Sequence, residues 1–246
     1  METRLAAEGF ESYGSTHLAA IVVLLAGVVA LVRFGRLHRG SARAELAARL
    51  LALAIVLFTV PLQLLYFTPD YWDLQRTVPL QLCELAWMVA VYALWRHRPW
   101  AVALTFYWGL TLTTQAVITP DLDADFPDPV FILFWGMHLL VVWAAVYLTW
   151  GLGLSPSWHG YRVAVCATGV WAVSVFLLNL AVGTNYGYLN AKPTSASALD
   201  LLGPWPWYVL AEVTIIAAAW ALMTWPWVTH SRDEAVDFQG RSGRME

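Results

Sequence analysis

Seven stretches of mostly apolar residues, each close to 20 residues long, follow one another along this chain of 246 residues. They cover residues 16–33, 46–66, 79–95, 100–118, 130–150, 162–182 and 206–224. A helix needs roughly 20 such residues to cross the hydrocarbon core of a bilayer. Only 13% of the residues are charged, about half the share found in soluble domains. The pattern therefore predicts an all-α fold, a polytopic membrane helix bundle with about seven transmembrane helices.

The fourth stretch is more polar than the others. It contains four threonines: Thr105, Thr111, Thr113 and Thr114. Hydroxyl groups pair poorly with lipid but can bond across helices. We therefore expect this helix to face protein rather than lipid.

The basic residues predict the direction of the chain in the membrane. Eleven of the 14 Lys and Arg fall on one side of the predicted helices, in the loop 33–49, the turn 96–99, the start of the sixth helix and the tail. Cytoplasmic loops are enriched in these residues, so the N-terminus is predicted outside and the C-terminus in the cytoplasm. Residues 1–15 then form an extracytoplasmic segment, 16–228 a single transmembrane bundle and 229–246 a cytoplasmic tail.

Charge and tryptophan distribution indicate lipids, and not nucleic acid, as the surroundings of the chain. The net charge is −3, and the sequence lacks the clustered basic patch of a nucleic-acid-binding surface. Arginine outnumbers lysine by 13 to 1, which is typical of a GC-rich bacterial genome, so we expect a multi-pass protein of a bacterial plasma membrane. Tryptophans gather at the ends of the stretches, where hydrocarbon meets headgroups: Trp72, Trp95, Trp100, Trp158, Trp205, Trp207, Trp225 and Trp227.

Polar side chains inside the predicted helices gather in one half of the bilayer. The outer halves contain Gln63, Gln81, Cys83, Glu84, Gln115, His138, Asn179 and Glu212, whereas the inner halves are nearly all apolar. Polar groups inside a membrane are expensive and often functional, so this asymmetry predicts a polar pocket that opens toward the outer side. Structural roles stay open, with Gln63 and Asn179 as hydrogen bonds between helices and Glu212 as a neutral acid.

Cys83 and His138 form the candidate chemical pair. The thiolate is the nucleophilic form of cysteine, and a neighbouring imidazole makes it available. Cys166 is predicted near the opposite leaflet, too far for a disulfide with Cys83, so both thiols are predicted to be free. Inert packing for Cys83 and a hydrogen-bonded core position for His138 remain the alternatives.

The connection 183–206 before the last helix is long for a compact domain, which is typical of a lid or binding segment. Its Gly, Asn and Pro residues preclude a continuous helix. Asn185, Asn190 and Lys192, the single lysine of the chain, are its candidate substrate-binding residues, with Lys192 suited to a phosphate headgroup. A surface loop anchored by interfacial tryptophans is the alternative.

Three motifs resemble a known family. The segments Val78-Pro-Leu-Gln-Leu-Cys-Glu84, Phe134-Trp-Gly-Met-His138 and Gly183 to Trp207 resemble the bacterial YwaF-like integral membrane proteins, over about residues 50–225. That family is similar in turn to a mammalian transmembrane acyltransferase that moves polyunsaturated acyl chains onto ether lysophospholipids. It is more distantly similar to androgen-induced hydrolases of fatty acid esters, which use Thr and His. The first similarity implies Cys83 and His138 as catalytic residues, and a cysteine at position 83 departs from the Thr pattern of the second.

We therefore expect a lipid acyltransferase or lipid ester hydrolase whose substrates are membrane lipids. His138 would take the proton of Cys83, and an acyl-enzyme would form. Gln81, Gln115 or Asn190 would donate hydrogen bonds to the oxyanion, and Glu84 or Glu212 would orient the imidazole. No cofactor is expected. The full set of substrate-binding candidates is Gln81, Glu84, Gln115, Asn185, Asn190, Lys192 and Glu212.

Two other classes of function stay open. A transporter or a protein that binds lipids or small molecules would use the same pocket without covalent chemistry. A retinal protein is disfavoured because the last helix, 206–224, contains no lysine for a Schiff base. A metal site of Cys83, Glu84, His138 and Glu212 is the third class, although these residues do not have the spacing of a zinc site.

Overall fold

The computed structural model describes residues 10–75, 77–120, 122, 124–193 and 198–242, with the backbone alone at 198 and from 230 onward. All regular secondary structure in these residues is helical, which confirms the all-α prediction. The α-helices are α1 (Ser15–Leu37), α2 (Ala42–Tyr66), α3 (Leu82–Arg96), α4 (Pro99–Leu110), α5 (Leu112–Ile118), α6 (Pro129–Val146), α7 (Trp158–Val182) and α8 (Trp207–Ser242). A π-helical turn, Tyr147–Gly151, continues α6, and short 3₁₀ turns occupy Tyr186–Tyr188 and Ala198–Leu202.

Six spans of the described chain are long and apolar enough to cross a membrane: Ser15–Leu37, Ala42–Tyr66, Pro99–Ile118, Pro129–Gly151, Trp158–Val182 and Trp207–Thr229. They match six of the seven predicted stretches. The remaining stretch forms α3, whose 15 residues cover only about 22 Å at 1.5 Å per residue. The sidedness of the termini stays a prediction.

Helix α3 begins three residues later than its apolar stretch because a cap fixes its start. Gln81 has an extended backbone and forms a capping box with Glu84, in which the Gln81 N–H donates to Oε2 of Glu84 at 2.9 Å. Such a box satisfies backbone N–H groups that have no partner within the helix. Pro79 lies in the irregular segment before the cap. Nε2 of Gln63 donates to the Thr77 carbonyl at 2.7 Å and ties that segment to α2.

The chain divides into two compact units, Met1–Leu154 (unit 1) and Ser155–Glu246 (unit 2). In unit 1, α3 packs against α2, α4, α5 and α6, and α6 also packs against α1, α2, α4 and α5. In unit 2, α7 packs against α8, and the connection between them packs on both. The single bundle 16–228 that the sequence predicts stays a prediction.

Small residues let the helices of unit 1 approach one another closely, as is usual in membrane bundles. Ala86 and Ala90 of α3 are fully buried. Gly109 of α4 lies against α6, where a β-carbon would be 3.0 Å from that of Ala145. Every residue from Ala101 to Gly109 is buried. The expectation that this polar stretch faces protein is confirmed for α4, whereas α5, which completes the stretch, is only partly buried.

Other helices expose apolar faces. On α1 the exposed side chains include Leu18, Val22, Leu25 and Val29, and on α7 they include Val170, Val173, Leu177 and Leu180. Both sets repeat at three- and four-residue intervals and so form one stripe along each helix. Continuous apolar stripes of this length suit contact with hydrocarbon, as expected of a membrane protein.

Candidate functional site

Cys83 is the second residue of α3. It is a free cysteine, as predicted, and half-buried, whereas Cys166 is free and exposed on α7. The first turn of a helix presents backbone N–H groups without intrahelical acceptors, and their partial positive charge stabilises an anion. The backbone N–H groups at this end of α3 therefore favour a thiolate at position 83, whereas burial and the neighbouring carboxylate of Glu84 oppose it more strongly.

His138 lies in the middle of α6 and is 2% exposed. Its Nδ1 donates to the Phe134 carbonyl at 2.8 Å, and the two rings lie 4.1 Å apart. A neutral imidazole that donates from Nδ1 keeps its lone pair on Nε2, and Nε2 has no hydrogen-bond partner among the described residues. The nitrogen that can accept a proton is therefore free. The partner that orients the ring is a backbone carbonyl, and neither Glu84 nor Glu212 takes the orienting role expected from the sequence.

The helices that carry Cys83 and His138 run in the same direction. At the start of α2, Glu45 lies 3.6 Å from the ring of His97, which ends α3. One residue earlier, the Ala44 carbonyl accepts a hydrogen bond of 2.9 Å from the hydroxyl of Tyr147, just after α6. Both helices are thus antiparallel to α2, and both end near its beginning.

The contact between Glu45 and His97 also fixes the depth of Cys83. Cys83 stands fourteen residues before His97, about 21 Å of helix at 1.5 Å per residue. The thiol therefore lies about 21 Å along unit 1 from the level of Glu45.

A second contact fixes the depth of His138. The ring of Phe58 on α2 covers Gly136 on α6 so closely that a β-carbon there would be 2.0 Å from it. Phe58 stands thirteen residues after Glu45, about 20 Å along α2. His138 follows Gly136 by two residues, about 3 Å back toward Glu45. Cys83 and His138 therefore differ in depth by about 4–5 Å, which is less than one helical turn. No hydrogen bond joins them in the described part of the chain.

The other predicted residues of unit 1 have different surroundings. Gln81 and Glu84 form the cap of α3, so the carboxylate is occupied by a backbone N–H. Gln115 is exposed on α5. The structure thus brings Gln81 and Glu84 into the first turn beside Cys83, while it places Gln115 on the surface.

The predicted residues of unit 2 belong to the connection between α7 and α8 and are held mainly by one another. Asn179 is buried, and its Nδ2 donates to the Tyr186 carbonyl at 2.9 Å and to Oδ1 of Asn190 at 2.8 Å. Its Oδ1 accepts from the Thr184 hydroxyl at 2.9 Å and from the Tyr186 N–H at 3.0 Å. All hydrogen-bonding capacity of this amide is used within the chain. Asn179 therefore has a structural role, although its partners lie in the connection that follows α7 and not, as predicted, on another helix.

Asn185 and Lys192 also have partners in this connection. Oδ1 of Asn185 accepts from the backbone N–H groups of Asn190 and Ala191, at 3.1 Å each. The ammonium of Lys192 lies 3.7 Å from Asp200 and 5.6 Å from the centre of the Tyr208 ring. These bonds fold the loop without a continuous helix, as predicted.

Glu212 is half-buried on α8 and has no hydrogen-bond partner among the residues described. It lies in unit 2 with Asn185, Asn190 and Lys192, whereas the cysteine and histidine lie in unit 1. The predicted site residues thus form two sets, one in each unit.

Unit 2 also contains an apolar hollow of about 300 Å³. Its lining comes from α7, the connection and the start of α8: Ala172, Val173, Phe176, Leu189, Trp205, Pro206, Val209 and Leu210. None of the predicted polar residues lines it, so it differs from the polar pocket expected from the sequence. The length of the connection was the only sequence signal for it.

Several buried polar atoms have no hydrogen-bond partner in the described residues. They belong to Thr59, Trp87, His97, Thr113, Trp135 and Thr149. Sequence reasoning did not identify these residues as site candidates, because threonine and tryptophan are common in membrane helices and His97 lies in the predicted turn 96–99. In the described residues, no group of three or more His, Cys, Asp or Glu side chains is placed to hold a metal ion.

Comparison with known proteins gives a family but no characterised relative. No curated protein matches the chain, and no solved structure matches it. The family model that matches is that of the TMEM164 family, and it covers residues 12–224. The match extends from the segment before α1 into α8 and includes both Cys83 and His138. This multi-pass membrane protein therefore belongs to the TMEM164 family.

Proposed function

We propose that this protein is a lipid acyltransferase or lipid ester hydrolase, with Cys83 as nucleophile and His138 as general base. The observation that supports it most is the common depth of these residues on two helices that pack against each other. The free Nε2 of His138 and the position of Cys83 in the first turn of α3 add the proton acceptor and the favourable field that thiol chemistry needs.

The reaction uses one proton and one covalent intermediate. Nε2 of His138 takes the thiol proton while Sγ of Cys83 attacks the carbonyl carbon of an acyl ester. The tetrahedral intermediate collapses, the acyl C–O bond breaks, and the imidazolium returns the proton to the departing lysolipid oxygen. His138 then takes the proton of an acceptor hydroxyl or of water, whose oxygen attacks the thioester. The C–S bond breaks to give a new ester or a free acid, and the proton returns to the sulfur of Cys83.

The motifs around the two residues support a phospholipid as the substrate. They resemble those of the YwaF-like proteins and, through them, of the transmembrane acyltransferase that acts on ether lysophospholipids. The expected location is the plasma membrane of a bacterium, in keeping with the arginine-rich composition.

Acyl transfer in proteoliposomes tests the proposal. Wild type, Cys83→Ser, His138→Ala and the matched control Cys166→Ser are reconstituted with phospholipids that carry a labelled acyl chain and with an unlabelled lysolipid. We expect His138→Ala and Cys83→Ser to lower the transfer or release of label at least 100-fold, since a general base contributes roughly 10²–10⁴. Cys166→Ser should match wild type. Equal rates in all four proteins would overturn the proposal.

The apolar hollow of unit 2 favours a second candidate function, lipid binding without covalent chemistry. Its volume of about 300 Å³ is at the lower end of the range for ligand sites, and an acyl chain suits its lining. A photoreactive fatty acid would label α7 or α8 in the Cys83→Ser protein if binding needs no thiol. Filling the hollow with Val209→Trp should then remove the label.

A further inference from the structure

We propose that Thr59, Thr113 and Trp87 form the oxyanion hole of this protein, donating hydrogen bonds to the acyl carbonyl oxygen when Cys83 attacks. The inference rests on the proposed function and names the groups that would stabilise its transition state. It replaces the donors expected from the sequence. Of those, Gln81 is part of the α3 cap and Gln115 is exposed.

The three donors are buried, and the described chain offers them no acceptor. Thr59 is 2% exposed and Thr113 is 1% exposed, and neither hydroxyl has a hydrogen-bond partner in the part of the chain that the structure describes. The indole Nε1 of Trp87 is likewise buried without a partner among the described residues. Buried polar atoms are almost always paired, and an exception needs an explanation.

Two other buried threonines bond to their own helices, whereas Thr149, like Thr59 and Thr113, has no partner among the described residues. The Thr105 hydroxyl donates to the Ala101 carbonyl at 2.8 Å, and the Thr224 hydroxyl donates to the Trp220 carbonyl at 2.6 Å. A helical threonine can satisfy itself in this way on its own helix. Thr59 and Thr113 lie in helices and do not, so their hydroxyls remain available for another acceptor.

The helix register places the two threonines at the depth of Cys83. Thr59 stands fourteen residues after Glu45 on α2, about 21 Å from the level of Glu45, which is also the depth of Cys83. It lies on the buried face of α2, beside the Phe58 position that packs on α6. Its depth and its position on the buried face of α2 therefore place Thr59 near the level of Cys83 and His138.

Thr113 lies at the same depth on a different helix, α5. It stands fourteen residues after Pro99, where α4 starts directly beyond the end of α3, and so also lies about 21 Å from the level of Glu45. Its helix, α5, packs against both α3 and α6. Trp87 follows Cys83 by four residues and shares its side of α3, one turn away.

The chemistry needs such donors at this place. When Sγ attacks, the carbonyl carbon becomes tetrahedral and its oxygen takes the negative charge. Donors that are already fixed, and that have no competing acceptor, stabilise this charge without reorganisation. When the intermediate collapses to the thioester, the oxygen becomes a neutral carbonyl again and the same donors hold it less strongly.

Two reactions of the same thiol test the proposal. In a Cys166→Ser background, Cys83 is the single cysteine of the full-length protein. Acylation by a p-nitrophenyl acyl ester passes through an oxyanion, whereas alkylation by iodoacetamide displaces iodide without one. Both rates are measured in nanodiscs for the background protein and for Thr59→Val, Thr113→Val and Trp87→Phe. The matched control is Thr105→Val, which removes a hydroxyl that is bonded to its own helix.

Loss of one oxyanion donor lowers turnover by roughly 10²–10³, so we expect each variant to acylate about 100-fold more slowly. Alkylation should stay within a factor of two or so, and Thr59→Ser should restore acylation because it keeps the hydroxyl. Acylation at the background rate in all three variants would overturn the inference, as would a parallel loss of both reactions, which indicates damaged packing. If the background protein is not acylated at Cys83 at all, the proposed function itself fails.

Discussion

Two buried polar regions of this protein differ in how their side chains are paired. In unit 2, Asn179 gives all its hydrogen-bonding capacity to the connection that follows α7. In unit 1, the hydroxyls of Thr59 and Thr113 are buried without partners among the described residues. Pairing inside the chain stabilises a fold, whereas an unpaired buried donor is costly and is kept for something outside the chain. The difference teaches that burial alone does not mark a site, and that buried donors with unused hydrogen-bonding capacity point to one when they lie at the depth of a reactive group such as Cys83.

The same distinction separates two histidines of unit 1. His17 is fully buried, its Nδ1 accepts from the Tyr13 N–H at 2.9 Å, and its Nε2 donates to the Val117 carbonyl at 2.8 Å. Among the described residues, His138 has a hydrogen-bond partner at Nδ1 alone. His17 is therefore a structural residue, and His138 has a nitrogen left for chemistry.

The largest expected effect is a difference between the substitutions of these two histidines. His138→Ala should lower acyl transfer at least 100-fold, the contribution of a general base, and should lower the melting temperature less than His17→Ala does, because it breaks one hydrogen bond and not two. His17→Ala should instead lower the melting temperature, because it leaves a buried carbonyl and N–H unpaired. Its transfer rate per folded molecule should stay near that of wild type. Transfer assays and thermal melts in detergent separate the two, and similar profiles for both variants would contradict the distinction.

Asn179→Ala has the second largest expected effect. It removes four hydrogen bonds and leaves the Tyr186 N–H buried without an acceptor, so unit 2 should lose about 3 kcal/mol of stability, on the order of 1–3 per unpaired group. Hydrogen exchange of residues 184–191 should accelerate strongly. Asn179→Asp keeps the acceptor oxygen and should exchange at an intermediate rate. Unchanged exchange in Asn179→Ala would show that the loop is held in another way.

Gly136→Ala tests the contact that sets the depth of His138. A β-carbon would be 2.0 Å from the Phe58 ring, so α2 and α6 must separate, at about 2 kcal/mol for overpacking a core. The double variant Gly136→Ala with Phe58→Ala should recover part of this loss, since the small side chain leaves room. Thermal melts of the single and double variants measure the coupling. Additive losses would mean that the two positions are not in contact.

Glu84→Gln has the smallest expected effect. The carboxylate accepts the Gln81 N–H at the start of α3, and a glutamine can still accept there, so the loss should be below about 1 kcal/mol. Acyl transfer should stay within a factor of two to three. A 100-fold loss of transfer would contradict this expectation and would indicate that Glu84 orients the imidazole of His138.

Hydropathy predicted the helices well because the bilayer fixes their length. It predicted α3 less well, since the start of that helix depends on the capping box of Gln81 and Glu84. Position along a helix also placed Cys83 and His138 in the same half of the bilayer. It did not give the direction around the helix, which is why the exposure of Gln115 was not foreseen.

The hydrogen-bond partners of the buried polar side chains could not be predicted from the sequence, for a different reason. The partners of Asn179 are set by the conformation of the loop, which no local pattern encodes. The missing partners of Thr59 and Thr113 are defined only by comparison with threonines such as Thr105, which bond to their own helix.

The most direct measurement of the central claim is a short cross-link between positions 83 and 138. In the Cys166→Ser background, His138→Cys is treated with a bifunctional thiol reagent that spans about 5 Å, close to the rise of one helical turn. Leu140→Cys is the control, because it is also buried but lies about 200° around α6 at 100° per residue. A fast cross-link for His138→Cys and none for Leu140→Cys is the predicted result. No cross-link for His138→Cys, with both thiols shown to react singly, would contradict the pairing of thiol and imidazole.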